Sequence, residues 1–274
     1  MNKKHLLHST IVSLFCLSCT LVACQNSEEL DSEKQPMPLT FDFLFPSSNT
    51  LDTRATETEF EENDCVGIYM TNSGENLDDT KNVRNNVPFT YHGSTWTAPF
   101  KLYWDDGTFD VYAYYPYVKS ITSISEIPFS VQTDQSTHAA YTASDFLWGG
   151  AYGVIASNNP VKVQFNHKMS RLTINIKYTK GKLTEETKVY VHSTVTNATI
   201  DLHRGLVTKV NKINPQAIQA LKINDQTYAA IIVPQRLDDS IVPLIEVVTN
   251  GSSYLYEGRF VFKTGINHEI NVTI

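Results

Sequence analysis

From residue 39 onward, apolar and polar positions alternate with a period of two. Leu39, Phe41, Phe43 and Phe45 share one side of a run whose other side carries Thr40 and Asp42. Leu172, Ile174, Ile176 and Tyr178 repeat the pattern against Arg171, Thr173, Asn175 and Lys177. Shorter runs recur at Phe109, Val111, Ala113 and Tyr115, at Val161, Val163 and Phe165, and at Ile270, Val272 and Ile274. Successive side chains of an extended strand point to opposite faces, so each run predicts a half-buried strand. Turn-forming clusters separate them: Asn72-Ser73-Gly74, Asp105-Asp106-Gly107, Thr179-Lys180-Gly181 and Thr249-Asn250-Gly251. Many short strands divided by turns predict an all-β protein of packed sheets rather than alternating βαβ units. Helical signals are few. Residues 214–221, with Asn214 as cap and Pro215 at the first position, predict two turns of helix, and residues 184–187 the start of another. Ser157-Asn158-Asn159-Pro160 follows Gly149, Gly150 and Gly153 and marks the best internal boundary, giving two expected β-domains over residues 55–158 and 159–274.

The first residues follow another pattern. Lys3 and Lys4 precede a short apolar run, Ile11 to Leu17, and then Leu21-Val22-Ala23-Cys24. A basic start, a brief apolar core and small residues before a break predict a signal peptide over residues 1–23, too short for a spanning helix. The last four residues resemble a bacterial lipobox, which makes Cys24 the expected acylation site. The alternative is a plain signal peptide with an incidental cysteine. Several acyl chains, at about 0.8 kcal/mol per buried methylene, hold a chain stably to a leaflet. Glu28 and Glu29 follow, either as a solvated tether or as a surface-export signal.

Composition narrows the choices. The 274 residues carry 22 Lys and Arg against 29 Asp and Glu, with no block of basic residues, so a nucleic-acid footprint is excluded. Three of the four cysteines, Cys16, Cys19 and Cys24, lie in the first 24 residues, which leaves Cys65 alone and no disulfide framework for the folded part. Removing residues 1–23 takes away Lys3 and Lys4 and carries the formal charge from −7 to −9. The usual catalytic signatures, His-Glu-x-x-His, Gly-x-Ser-x-Gly and a phosphate-binding loop, do not occur. His92, His138, His167, His192, His203 and His268 stand singly, without metal-ligand spacing. No catalytic residue, metal or cofactor is therefore expected. His167, at a strand entrance, is read as a hydrogen-bonded structural histidine, and Cys65 as a small buried hydrophobe rather than a nucleophile. Tyr112, Tyr114, Tyr115 and Tyr117 read as strand packing in preference to a sugar-stacking surface.

Leu51-Asp52-Thr53-Arg54-Ala55-Thr56 is a polar, turn-like stretch between the run at residues 39–45 and the rest of the chain. Exposed polar loops are where proteases cut. Scission between Arg54 and Ala55 would separate the body from the lipid and free the Leu39, Phe41, Phe43 and Phe45 strand from any sheet it completed.

The lipobox, the Thr53-Arg54-Ala55-Thr56 stretch, the run from Phe60 to Tyr69, the run from Phe109 to Tyr117 and the run from Val163 to Leu172 resemble, in order, the landmarks of the fimbrillin family, with a closing segment from Phe260 to Ile270. These are type V pilus subunits and related surface lipoproteins of anaerobic Gram-negative bacteria. The resemblance implies two transthyretin-like β-sandwich domains with few short helices. It implies a lipoprotein of the outer membrane, cut after Arg54 by an Arg-specific protease and assembled into a fimbrium with other subunits by donor-strand exchange, with adhesion to a host or bacterial surface as a role. Residues 24–54 would then be a lipidated leader carrying the removable strand. The other reading is a permanently anchored surface lipoprotein that binds glycan through Tyr112, Tyr114, Tyr117, Trp96 or Trp104. Asp239-Ser240-Ile241 also resembles a bacterial O-glycosylation string.

Overall fold

A computed structural model describes residues 35–46 and 59–274. The expected signal peptide, Cys24, Arg54 and Ala55 lie outside the described residues. In chain order the first strands are β1 (Phe41–Leu44), β2 (Cys65–Asn72), β3 (Arg84–Tyr91), β4 (Trp96–Thr97), β5 (Thr108–Tyr115) and β6 (Ile127–Ser130). A five-residue helix, α1 (His138–Thr142), leads to β7 (Leu147–Ile155), β8 (Val161–His167), β9 (Ser170–Lys177), β10 (Lys188–Thr194), β11 (Asn197–Asp201) and β12 (Leu206–Lys209). The last strands are β13 (Gln216–Gln219), β14 (Leu221–Lys222), β15 (Thr227–Ile232), β16 (Gln235–Thr249), β17 (Ser252–Phe262) and β18 (Asn267–Thr273). The protein is thus nearly all β, as the period-two pattern predicts, and each alternating run named above falls on a strand.

A seven-stranded sheet runs β1-β8-β7-β5-β2-β3-β4, and three smaller sheets run β13-β10-β16-β17, β12-β11-β6 and β14-β15-β9-β18. Strand pairing crosses position 158/159 in both directions. β8 pairs with β7 and β1 in the large sheet, while β6 pairs with β11. The central strands of the large sheet are buried on both faces. On β5, Phe109, Val111 and Ala113 enter one core, built also from Val66, Ile68, Met70 and Phe89. Tyr112 and Tyr114 point the other way, into a second core with Leu172, Ile174, Val191 and Ile245. The described residues from Pro36 to Ile274 accordingly form one compact unit.

The two predicted helices are corrected. Residues 216–219 form β13 instead, antiparallel to β10 with Val191 opposite Ile218, whose side chain is fully buried. Helix propensity over so short a stretch is a weak force, and a sheet edge with an apolar site to fill overrides it. Residues 184–187 make a single turn closed by Thr187 N–H donating to the Thr184 carbonyl. The helix that does form, α1, was not legible from periodicity. Thr137 caps it, its Oγ1 accepting from the Ala140 N–H, and Tyr141 is its one buried side chain.

Candidate functional site

β1 is four residues long and lies at the edge of the large sheet, parallel to β8, with Phe41 opposite Val161 and Phe43 opposite Val163. A parallel pairing between segments so far apart in sequence requires a long crossover, and here most of the large sheet lies between them. The alternation of residues 39–45 now has its reason. Leu39, Phe41 and Phe43 are buried to 4 % exposure or less and Phe45 is half-buried, whereas Leu44 faces outward. Phe43 packs against four other rings, Phe41, Phe89, Trp96 and Phe165, with centroids 4.9–5.9 Å away. Phe45 meets Phe60 at 5.1 Å and the His167 ring at 5.8 Å. The Phe43–Trp96 contact brings the two ends of the sheet, β1 and β4, together, so β1 closes the apolar interior between them.

Backbone and side-chain bonds fix both ends of the segment. At its start, the Leu39 N–H donates to the Leu102 carbonyl and the Trp104 N–H donates to the Met37 carbonyl, both at 2.9 Å. In its middle, the Val161 N–H donates to the Thr40 carbonyl at 2.9 Å. At its end, the Gln164 amide Nε2 donates to the carbonyls of Phe45 at 2.8 Å and Leu44 at 3.3 Å. β8 can hold β1 because Gly149 on β7 lets it close in: a Cβ there would lie 2.4 Å from the Gln164 carbonyl oxygen. Gly149, which reads in the sequence only as part of a turn-rich stretch, is a packing requirement of the slot.

Between β1 and the 96–104 segment runs an open groove of about 460 Å³ lined by Leu39, Thr40, Phe89, Trp96, Phe100 and Tyr103. At the other end, a cavity of about 60 Å³ is lined by Phe45, Glu59, Glu61, Asp64, Tyr115 and Asp145 among others. Tyr115 donates its hydroxyl to Asp64 at 2.9 Å, and burial first, then the charge of Asp64, pushes the phenol well above its ordinary pKa. The His167 Nδ1 lies 2.5 Å from an Asp145 carboxylate oxygen, both side chains about one-seventh exposed. His167 therefore sits in a hydrogen bond at the end of the slot.

The remaining candidates separate. Tyr112 and Tyr114 are buried in the second core, so neither presents a ring face to a sugar, which corrects that part of the glycan reading. Trp104 donates its indole N–H to the Ser157 carbonyl at 3.1 Å, and Tyr117 is partly buried against the second core. Cys65 is free and half-buried, and burial is the largest of the influences that push its thiol up, the wrong direction for a nucleophile. His92 and His192 meet Glu62 and Glu246 in separate places. Among the described residues no group of three or more His, Cys, Asp or Glu is placed to hold a metal ion, and no helix is long and apolar enough to cross a membrane. That Phe60, Phe89, Trp96, Phe165 and Gln164 form the walls of one slot does not follow from the sequence, where Phe165 reads as a strand residue and Trp96 as a glycan contact. Their only signal is the alternation of Val87, Phe89 and Tyr91 and of Val163 and Phe165.

Fold and slot together define an all-β protein whose distinctive feature is an aromatic strand seated at a sheet edge. The chain belongs to the fimbrillin-like family, whose model matches residues 53–274. A Bacteroides ovatus protein described provisionally as a fimbrium tip subunit is 30% identical over 155 residues, 51% of this chain and 28% of that protein. A Bacteroides uniformis protein described provisionally as a fimbrium subunit is 26% identical over 215 residues, 75% of this chain and 67% of that protein. The chain thus spans little more than a quarter of the first relative. A crystal structure of a B. ovatus protein, described provisionally as a cell adhesion protein, has a TM-score of 0.66 at 21% identity and covers 87% of this chain and 92% of its own. One from B. uniformis, described in the same words, has a TM-score of 0.65 at 19% identity, covering 88% and 93%. Both show the same fold.

Proposed function

We propose that this chain is a structural subunit of a cell-surface fimbrium, assembled with other subunits by strand exchange at the β1 slot and serving adhesion. On this reading, acylation at Cys24 holds the exported chain to the outer membrane. An Arg-specific protease cuts between Arg54 and Ala55, which severs the leader of residues 24–54 from the body of the subunit. The strand of Leu39, Phe41, Phe43 and Phe45 then gives way to a strand from another subunit. Residues 55–274, the two expected domains of 55–158 and 159–274 taken together, remain as the folded body.

The observation that carries this reading is the seating of β1. It is an edge strand whose inward side chains, Phe41 and Phe43, fill an apolar slot together with Leu39 just before it, and it is joined to the body through the segment that holds Arg54. Removing it would expose the apolar floor formed by Phe89, Trp96 and Phe165 and a row of β8 backbone groups. A donated strand with the same alternation satisfies both at once. At about 1.5–3 kcal/mol per large side chain, Leu39, Phe41 and Phe43 contribute roughly 4.5–9 kcal/mol of transfer free energy as an upper bound. Replacement is therefore strongly favoured over an empty slot.

Mass spectrometry of the surface-exposed form tests the reading. A chain that begins at Ala55 and migrates as a ladder under non-denaturing conditions is the expected result. A surface population still acylated at Cys24 and monomeric, in cells whose Arg-specific protease is active, would overturn it.

A further inference from the structure

We infer that the outer edge of β17 pairs with the same edge of a second copy of this chain, antiparallel, about a two-fold axis at Gly258. β17 is 11 residues long and ends its sheet, with β16 on one side and nothing paired on the other among the described residues. The register irregularities in this hairpin add residues to β16. Leu237 and Val242 oppose Phe260 and Gly258, and Pro243 and Ile245 oppose Glu257 and Tyr256, so β17 runs unbroken. The edge is long and carries neither proline nor lysine, its only charges are Glu257 and Arg259, of opposite sign, and it presents free N–H and C=O groups as a template. Its side chains are exposed as well, Leu255 to 53% and Tyr256 to 46%.

The occupant follows from the order of residues. A two-fold axis perpendicular to a sheet passes between a residue and its own copy, and its neighbours then pair reciprocally. With Gly258 at the axis, Glu257 lies opposite Arg259 of the second copy, and Arg259 opposite its Glu257. Both are exposed, and neither has an ion-pair partner among the described residues. One step further out Tyr256 meets Phe260, and the next step sets Leu255 against Val261. Every pair is thus charge-matched or apolar on both sides, and the two opposed glycines allow the backbones to approach. Moving the axis by one residue, to Glu257, would set Glu257 against itself and Leu255 against Arg259.

The test is the oligomeric state of the full chain carrying Cys24→Ala and Arg54→Ala, which keeps it free of lipid and of cleavage, measured by light scattering across a concentration series. A dimer is expected. Glu257→Lys turns both cross-strand pairs repulsive and is expected to weaken dimerisation about tenfold. Arg259→Glu should do the same, and the charge-swapped double variant Glu257→Arg with Arg259→Glu should recover it. A chain that stays monomeric, a dimer indifferent to the single reversals, or a double variant no better than either single one would each overturn the inference. Association that appears only in a chain with Arg54 intact and cut belongs to the β1 slot and would also overturn it. The converse result, a charge-dependent dimer of the uncut chain, leaves strand exchange to be decided by the N-terminus of the surface form.

Discussion

β1 and β18 invite comparison because they occupy matching positions. Each is an edge strand, each runs parallel to its neighbour, and those neighbours, β8 and β9, are consecutive in the chain. They are held by different forces. The β1 segment is anchored by apolar side chains, with Leu39, Phe41 and Phe43 buried and three further aromatic rings, Phe89, Trp96 and Phe165, gathered around Phe41 and Phe43. β18 buries Val272 alone, and its outer face is a polar ladder. In that ladder the Thr173 hydroxyl donates to Asn267, and the Asn175 amide donates to Glu269 at 2.7 Å and Asn271 at 3.2 Å. Backbone bonds between Ile274 and the 177–179 segment close its end. Non-directional apolar burial is satisfied by any strand that presents large side chains at alternate positions, whereas a ladder of specific hydrogen bonds is satisfied by one sequence in one register. The first kind of attachment suits exchange and the second suits permanence.

The largest test of this contrast is truncation. Phe43→Ala removes a ring from a packed aromatic cluster and should destabilise the chain by about 3–5 kcal/mol, whereas Val272→Ala should cost about 1.5 kcal/mol. Denaturant unfolding of both variants measures the difference, and equal costs would remove it. Gly149→Ala should come next, at about 1–3 kcal/mol, because the added methyl meets the β8 backbone. Its signature is local: faster amide exchange in β8 and in residues 39–44, with β9 and β18 unchanged. Smaller again, Gln164→Leu deletes the clamp on the Leu44 and Phe45 carbonyls and should cost about 1 kcal/mol or less. It loosens only the β1 terminus, where amide exchange will read it.

The smallest effect is one of pH, and it belongs to β18. Burial, then the charge of Lys263, holds the His268 imidazole below its ordinary value of 6.5, and its Nε2 accepts from the Lys263 N–H at 3.0 Å. A depressed folded pKa means that the unfolded state takes up the proton first. The contribution is intact above pH 6.5 and is lost as pH falls through the folded value. Amide protection around residues 263–268 should therefore decline below about pH 6.5, and His268→Gln should abolish that decline.

Much of this architecture is legible in the sequence. The period of two placed β1, β5, β8, β9 and β18, because a half-buried strand must alternate whatever it packs against. The inward residues of the β1 segment, Leu39, Phe41, Phe43 and Phe45, could be named from that alternation alone. What lay on the far side of the slot could not, since Phe89, Trp96 and Phe165 come from three strands that only the sheet order brings around one ring. Tyr112 and Tyr114 illustrate the same limit. Their spacing says that they share a face, but not that the face is covered by a second core.

The order of residues along the chain was enough to specify an all-β protein with an aromatic segment at residues 39–45 and a lone arginine between that segment and the body. These are local properties, set by side-chain alternation and composition. Long-range packing set the rest: β1 lies parallel to β8 at an edge, the 216–219 segment is a strand, and the large sheet is shared by two cores. Each of those outcomes depends on contacts between residues far apart in sequence, whose energies outweigh the preferences of short segments.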